Sequence, residues 1–151
     1  MNQEKHNSTD VLVIGAGPAG TVAASILKDR GYDVTILERG HFPRFVIGES
    51  LLPRCMEGFE KAGFISAIEE AGFQKKYGAR FDDNGQVSDF NFSEQYSEGW
   101  SWTWQVQRGP FDKVLADTVE RKGVQIEYGT SVVGAQFDEN GGMVEAKREN
   151  G

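Results

Sequence analysis

The sequence predicts an α/β fold built on a parallel sheet, and three observations predict it. Val11–Ile14 is a short unbroken apolar run, which is typical of a strand buried on both faces of such a sheet. A glycine-rich turn and a helical pattern follow this run, and a second apolar strand pattern covers residues 33–38. Strands that alternate with helices indicate βαβ units and therefore a parallel sheet.

The turn after the first strand has the spacing G-x-G-x-x-G and consists of Gly15, Ala16, Gly17, Pro18, Ala19 and Gly20. The first glycine permits a tight turn, the second lets a pyrophosphate approach the backbone, and the third lets the helix pack close to the strand. The proline suits the first helical turn, where a missing N–H costs nothing. The free N–H groups of this helix N-terminus would then face the phosphates of a dinucleotide.

The helix is predicted to run to about Arg30, with Gly31 as a suitable residue to end it. The second strand ends at Glu38, where a carboxylate can accept hydrogen bonds from a ribose hydroxyl and would repel a 2′-phosphate. A glycine-rich turn in an ordinary α/β domain is the alternative interpretation. The strand, the helix and the acidic residue in this order favour the dinucleotide site.

The composition disfavours several other classes of protein. A length of 151 residues suits one ordinary domain or a piece of a larger protein, and the net charge of −7 argues against a nucleic-acid partner. The single cysteine excludes an internal disulfide, and two histidines disfavour a metal site, so no metal is expected. No apolar run has membrane-spanning length and no signal-peptide core is present, so we expect a cytoplasmic protein.

A long irregular connection follows Glu38 and leads to two short helices. Ser50 is a plausible N-cap for a helix over residues 51–62, and a second helix is predicted over residues 64–71. Each of these patterns is followed by a glycine, which suits a helix end. Long ordered loops after such strands often carry function.

The same connection carries a resemblance, in the runs Glu38-Arg39, Phe42-Pro43-Arg44 and Ile47-Gly48-Glu49-Ser50-Leu51-Leu52-Pro53. It resembles the flavin-dependent halogenase and monooxygenase superfamily, including tryptophan-halogenase-like and geranylgeranyl-reductase-like proteins and aromatic hydroxylases. The resemblance implies a Rossmann-like FAD-binding domain of the glutathione-reductase type. It implies FAD as the cofactor, with its pyrophosphate on the glycine turn and its ribose on Glu38. Arg39 and Ser50 are also expected at the cofactor, with Ser50 on the flavin side.

Residues 73–107 change to a period of two, which predicts an antiparallel sheet inserted into the FAD-binding domain between residues 1–72 and 108–151. The sequence Asp-Asn-Gly at residues 83–85 is a strong hairpin signal. Farther along, Trp100, Trp102, Trp104 and Val106 are predicted on one face of a strand.

The resemblance implies that this inserted sheet covers the flavin and contacts substrate. Trp102 and Trp104 could therefore stack on a flat organic substrate, whereas the alternative is that they bury area in the core of the sheet.

Lys76 is the candidate catalytic residue. It precedes Tyr77-Gly78-Ala79 and resembles the lysine with which flavin-dependent halogenases relay hypohalous acid to the substrate. Because Lys75 is adjacent, the alignment stays open by one residue. A solvated lysine at the start of a strand is the alternative, since relatives that are not halogenases can also carry a lysine here.

Arg108 stands just before a predicted helix that Pro110 can open, and the resemblance implies that this arginine contacts FAD. A surface salt bridge is the alternative. The strand after this helix is predicted to pair beside residues 33–38 in the parallel sheet, and a hairpin with the start of a β-meander follows. Val132 best matches a family valine that touches the adenine through its backbone.

The resemblance covers nearly all of the chain but only the N-terminal portion of a family member, so we expect a domain truncated at its C-terminal end. We predict the FAD-binding part of a flavin-dependent monooxygenase or reductase that acts on a small organic substrate. Its electrons would come from NAD(P)H or from a separate flavin reductase. The alternatives are a flavin-dependent halogenase that uses Lys76, a nucleotide-binding module without catalysis, and an NAD-binding dehydrogenase domain, which the long connection disfavours. The 151 residues alone are expected to be inactive.

Overall fold

The computed structural model describes residues 7–149 as helices and strands joined by short turns and one long loop. The elements in chain order are β1 (Val11–Ile14), α1 (Pro18–Asp29), β2 (Val34–Leu37), α2 (Arg54–Lys61), α3 (Ile65–Glu70), β3 (Gln74–Lys76), β4 (Gly78–Asp83), β5 (Gln86–Asn91), a 3₁₀ turn (Phe92–Glu94), β6 (Thr103–Gln105), α4 (Arg108–Arg121), β7 (Gln125–Glu127), β8 (Thr130–Asp138) and β9 (Gly141–Arg148).

Three parallel strands form the central sheet in the order β1-β2-β7. The predicted position of β7 beside β2 is confirmed, since Thr35 pairs with Gln125 and Ile36 with Ile126. The expectation that β1 is buried on both faces is wrong, because the Ile14 side chain is 61% exposed. Within the described residues β1 pairs with β2 alone and lies at the edge of the sheet, so less of the chain covers it.

The core lies between this sheet and the four helices. α4 contributes the largest buried face, and its apolar residues Phe111, Leu115 and Val119 are all fully buried. Phe59 of α2 and Phe111 meet edge to face with ring centroids 5.7 Å apart. Burial of each such side chain contributes about 1.5–3 kcal/mol, so these residues fasten α4 firmly to the core.

The helix predicted over residues 51–62 begins three residues later, at Arg54. The residue before a proline is disfavoured in helical conformation, and Pro53 therefore delays the helix and stands at its N-cap position. Ser50 is consequently not a helix cap. It forms an isolated antiparallel bridge with Gln105, which ties the long loop to β6.

The tryptophan strand is shorter than predicted, because only Thr103–Gln105 forms strand structure. Its partner β3 is three residues long, so the antiparallel ladder contains three residue pairs, from Gln74↔Gln105 to Lys76↔Thr103. Thr103 and Trp104 are both buried, and the strand therefore has no polar outer face at Thr103.

Two hairpins complete the fold. The predicted turn at residues 83–85 is confirmed, with Asn84 and Gly85 at φ of 51° and 86°, the left-handed values that such hairpin turns require. β8 and β9 form the second hairpin, with an irregularity in pairing between Val132 and Gly134. No helix found within residues 7–149 has the length and apolarity needed to cross a membrane.

Candidate functional site

The glycine turn has the geometry that its first and third glycines predict. Gly15 adopts a φ of 94° and donates its N–H to the Leu37 carbonyl at 2.8 Å, which joins the turn to β2. A Cβ atom added at Gly20 would lie 2.0 Å from the Gly15 carbonyl oxygen. The first turn of α1 therefore sits directly against the glycine turn, and only glycine fits there.

Gly17 is different, because the space beside it is nearly empty of the residues that the structure describes. It is the N-cap of α1, and a Cβ atom there would meet only the Arg44 Nη2 atom, at 3.8 Å. In the described part of the chain no side chain caps this helix, and no acidic residue occupies its first turn. The N–H groups and positive dipole end of α1 thus remain available to a phosphate that approaches Gly17.

Glu38 is buried, with 3% of its surface exposed, and both of its oxygens accept hydrogen bonds. The Ala16 N–H donates to Oε2 at 2.8 Å and the Gly40 N–H donates to Oε1 at 2.9 Å. Each carboxylate oxygen can accept a further bond, so a ribose hydroxyl can still join. Arg39, the next residue, is exposed.

Arg44 lies at the same place, although the sequence interpretation gave it no role. Its Nη2 atom stands 3.6 Å from Glu38 Oε2 and 3.7 Å from Asp112 Oδ2, distances longer than hydrogen bonds. Its Nε atom is buried and has no hydrogen-bond partner among the described residues. Arg44 therefore brings a positive charge to the side of Gly17.

Asp112 is the second residue that sequence reasoning missed. It is fully buried on α4, and Arg108 donates to it twice, from Nε at 2.8 Å and from Nη2 at 3.1 Å. Arg108 Nη1 also donates to the Ile47 carbonyl at 3.1 Å. With 15% of its side chain exposed, Arg108 forms an internal ion pair rather than the surface salt bridge of the alternative interpretation. The i, i+4 spacing of arginine and aspartate on a predicted helix was the available signal.

Val132, the predicted adenine contact, lies on β8. β8 begins beside Glu38, because the Thr130 N–H donates to the Glu38 carbonyl at 3.0 Å. Val132 itself is half-buried and stands at the irregular pairing of β8 with β9. This arrangement ties the start of β8 to the backbone of Glu38, and the contact of Val132 with adenine stays a prediction.

Lys76 and Lys75 have different surroundings. Lys76 Nζ donates to the Ser50 hydroxyl at 2.5 Å and to the Leu51 carbonyl at 3.1 Å. Lys75 instead places its Nζ atom 4.2 Å from the centre of the Trp102 ring. Since neighbouring strand residues point to opposite faces, only Lys76 faces the Gly-Glu-Ser segment that was expected near the flavin.

Glu49 lies between Lys76 and Arg108 along this segment. The backbone N–H of Gly48 donates to Glu49 Oε2 at 3.0 Å. This bond, followed by one from its own backbone N–H, holds the pKa of Glu49 below its ordinary value of 4.5. Glu49 is therefore an anion at neutral pH.

The two tryptophans proposed for substrate contact do not share one environment. Trp104 is 1% exposed and belongs to the core, as the alternative interpretation held, so it presents no ring face to a substrate in this structure. Trp102 is half-buried and lines an open cavity of about 550 Å³ together with Trp100 and Glu57. No group of three or more metal-binding side chains occurs in the described part of the chain.

Comparison with known proteins identifies the family. The profile of the family described as FAD binding domain matches residues 8–151. The chain belongs to this FAD-binding domain family. Over 132 residues the FAD-binding domain is 35% identical to the tryptophan 2-halogenase of Chondromyces crocatus, a match that covers 87% of this chain and 25% of that protein. It is 36% identical over 132 residues to the sulochrin halogenase gedL of Aspergillus terreus, covering 87% and 24%.

Solved flavoprotein structures have a similar fold. A flavoprotein/dehydrogenase from Cytophaga hutchinsonii superposes with a TM-score of 0.90 at 54% identity, over 96% of this chain and 36% of that chain. The myxobacterial chondrochloren halogenase CndH superposes with a TM-score of 0.81 at 33% identity, over 93% and 33%. The FAD-binding domain thus spans about a quarter of the length of its curated relatives, at their N-terminal portion.

FAD is the cofactor of this family, and the residues present fit it. The open space beside Gly17 accommodates a pyrophosphate, and the unpaired Arg44 Nε is a buried donor that an anion could satisfy. The resemblance to the N-terminal portion of the flavin-dependent halogenase and monooxygenase superfamily is confirmed.

Proposed function

We propose that this FAD-binding domain is part of a flavin-dependent halogenase in which Lys76 relays hypohalous acid to a small organic substrate. The observation that carries the proposal is the fixed position of the Lys76 ammonium group on Ser50 and Leu51. Halogenases among the relatives support it. It replaces the monooxygenase or reductase that the sequence favoured as the first interpretation.

The glycine turn, Glu38 and Arg44 would hold the cofactor. The backbone of Gly17 and the N-terminus of α1 receive the pyrophosphate, the Arg44 guanidinium adds positive charge, and Glu38 accepts hydrogen bonds from the ribose. Arg39, Ser50, Arg108 and Val132 complete the expected cofactor-binding set. Bound FAD supplies the oxidising chemistry, with electrons from NAD(P)H or a separate flavin reductase.

Lys76 has one hydrogen-bond donor left for a ligand. An ammonium group carries three N–H donors, and two of them are directed to Ser50 and Leu51. The third can donate to the oxygen of a hypohalous acid and orient its halogen toward the substrate. Because Ser50 and Leu51 hold the nitrogen still, little freedom is lost when the acid binds.

The fold supports a finer domain assignment, which we also propose. The domain is of the glutathione-reductase type, and residues 73–107 form an inserted antiparallel segment between residues 1–72 and 108–151. The strands of this segment make two separate two-stranded sheets and not the single sheet that the sequence predicted. The antiparallel pairs β3–β6 and β4–β5, which lie between α3 and α4 in the chain, support this division. The outermost ends of the two flanking segments lie outside the described residues.

A flavin-dependent oxidoreductase that transfers no halogen is the second candidate. The 54% identity to the flavoprotein/dehydrogenase of Cytophaga hutchinsonii favours it. In that case Lys76 only fastens the long loop to β3, and its loss affects stability rather than the identity of the product.

The pair Lys76→Ala and Lys75→Ala tests the halogenase proposal in the complete gene product. Both variants are assayed with FAD, a flavin reductase, oxygen, halide and a panel of aromatic substrates. Lys76→Ala should consume oxygen at a near-normal rate and lose halogenated product, since the relay acts only after halide is oxidised. Lys75→Ala should keep both oxygen consumption and the formation of halogenated product. Halogenated product from Lys76→Ala at the unchanged rate would exclude the relay role.

A further inference from the structure

Asp112 is a fully buried carboxylate, and the proposed function assigns no role to it. It lies in the first turns of α4, next to the loop that carries Arg44. A buried acid is costly unless it is paired, and Arg108 alone satisfies both of its oxygens. A second guanidinium at this carboxylate therefore needs another explanation than the burial of Asp112.

That second guanidinium belongs to Arg44. Its Nη2 atom lies 3.7 Å from Asp112 Oδ2 and 3.6 Å from Glu38 Oε2, so the positive charge stands between two buried carboxylates. Glu38 accepts hydrogen bonds from the Ala16 and Gly40 N–H groups and attracts Arg44 through charge alone. Two similar attractions at distances longer than hydrogen bonds hold the guanidinium between the carboxylates, and its Nε atom has no hydrogen-bond partner among the described residues.

The backbone places Arg44 here as well. A Cβ atom at Gly109 would lie 3.1 Å from the Arg44 carbonyl oxygen, so the absence of a side chain lets the loop pack closely on α4. The loop thus brings the Arg44 side chain between Asp112 and Gly17, where its Nη2 atom meets the open face of the glycine turn.

We propose that Asp112 is a positioning residue for FAD, which holds the Arg44 guanidinium beside Gly17 so that it can bind the pyrophosphate. Asp112 acts through Arg44 and does not contact the cofactor. The inference rests on the proposed phosphate-binding role of Gly17 and Arg44. It predicts a loss of affinity that is specific to the phosphate groups of a ligand, which a purely structural role of Asp112 would not produce.

The test compares Asp112→Asn with Asp117→Asn in the complete gene product freed of flavin. Asp117 is a matched control, because it forms an i, i+4 ion pair with Lys113 at 2.7 Å on the exposed side of the same helix. Dissociation constants are measured for FAD, ADP and adenosine. Asp112→Asn should weaken FAD and ADP about tenfold and change adenosine less than about twofold, as expected for charge-assisted bonds lost to phosphate alone. Asp117→Asn should change none of them.

Equal losses for ADP and adenosine, or an unchanged ADP constant, would overturn the inference. If Asp112→Asn does not fold, the double variant Arg108→Gln/Asp112→Asn replaces the buried ion pair by a neutral one. Because Arg108 is itself expected at the cofactor, Arg108→Gln alone is the reference. The double variant should fold and bind ADP more weakly than this reference with adenosine unaffected, whereas ADP affinity equal to that of Arg108→Gln would contradict the role of Asp112. Absence of FAD binding by the unchanged protein would overturn the proposed function itself, and this inference with it.

Discussion

At the scale of single residues, Glu38 has two partners inside the protein as well as its expected ligand. Its carboxylate accepts hydrogen bonds from the Ala16 and Gly40 backbones, so it holds the glycine turn in shape before any ribose binds. The sequence predicted Glu38 as a ligand-binding acid from its place after β2. It could not predict this internal role, because the role depends on how the loop after β2 folds back.

We predict that Glu38→Ala weakens FAD binding and destabilises the fold at the same time. Each hydrogen bond lost from the ribose costs about 1.5–3 kcal/mol, and the unpaired Ala16 N–H costs about 1–3 kcal/mol of stability. FAD titration and urea unfolding measure the two effects. Glu139→Ala, at the exposed turn between β8 and β9, is the control. An unchanged FAD dissociation constant in Glu38→Ala would remove Glu38 from the site.

At the scale of elements, Gly17 and Gly20 of the same turn separate ligand binding from folding. We predict that Gly17→Val abolishes flavin binding and keeps most of the stability. Within residues 7–149 the new side chain enters space that Arg44 Nη2 alone approaches, at 3.8 Å. Gly20→Ala should instead lower the free energy of unfolding, because its Cβ would lie 2.0 Å from a carbonyl oxygen. Flavin absorbance and thermal unfolding distinguish the variants. A yellow Gly17→Val protein would refute the phosphate-binding turn.

The contact between α4 and the end of β7 has a pH dependence of its own. The pKa of Tyr128 is raised above its ordinary value of 10.0, first by burial and then by the negative charge of Glu120. Glu120 also accepts a hydrogen bond from the Tyr128 hydroxyl at 3.2 Å. The folded chain thus holds this proton more tightly than the unfolded chain. Its contribution to stability is complete below pH 10.0 and is lost as the pH rises further.

We therefore predict that the free energy of unfolding falls less between pH 9 and 11 in Tyr128→Phe than in the unchanged protein. Phenylalanine has no proton to lose, so the part of the pH dependence that comes from Tyr128 disappears. Urea unfolding at several alkaline pH values measures this. Equal slopes for the two proteins would show that Tyr128 titrates alike in the folded and unfolded chains.

Local patterns predicted most of the elements, and long-range contacts explain what they missed. The glycine turn, α1, the turn at residues 83–85 and the buried face of α4 follow from spacing and turn chemistry within a few residues. The delayed start of α2 was also local, since Pro53 explains it. The short β6, by contrast, depends on a partner strand about 30 residues earlier, as in the pair Gln74↔Gln105, which no local pattern encodes. Arg44 and Asp112 were missed for the same reason, because their ion pair joins the loop to α4.

At the scale of the whole molecule, one loop connects the two halves of the proposed chemistry. Residues 39–53 carry Arg44 at the glycine turn, the carbonyls that bind Arg108, and the serine that binds Lys76. The loop is held on one side by α4 and on the other by β3 and β6. The cofactor end and the Lys76 end of the site are therefore parts of one folded unit.

The product formed by the unchanged complete gene product tests the central claim most directly. The protein is supplied with FAD, a flavin reductase, NADH, oxygen and bromide together with aromatic substrates, and the products are analysed by mass spectrometry. The account predicts a brominated product with the paired isotope pattern of bromine, absent when halide is omitted. A product that carries only added oxygen, or only altered hydrogen content, in the presence of bromide would contradict the halogenase assignment and return Lys76 to a structural role.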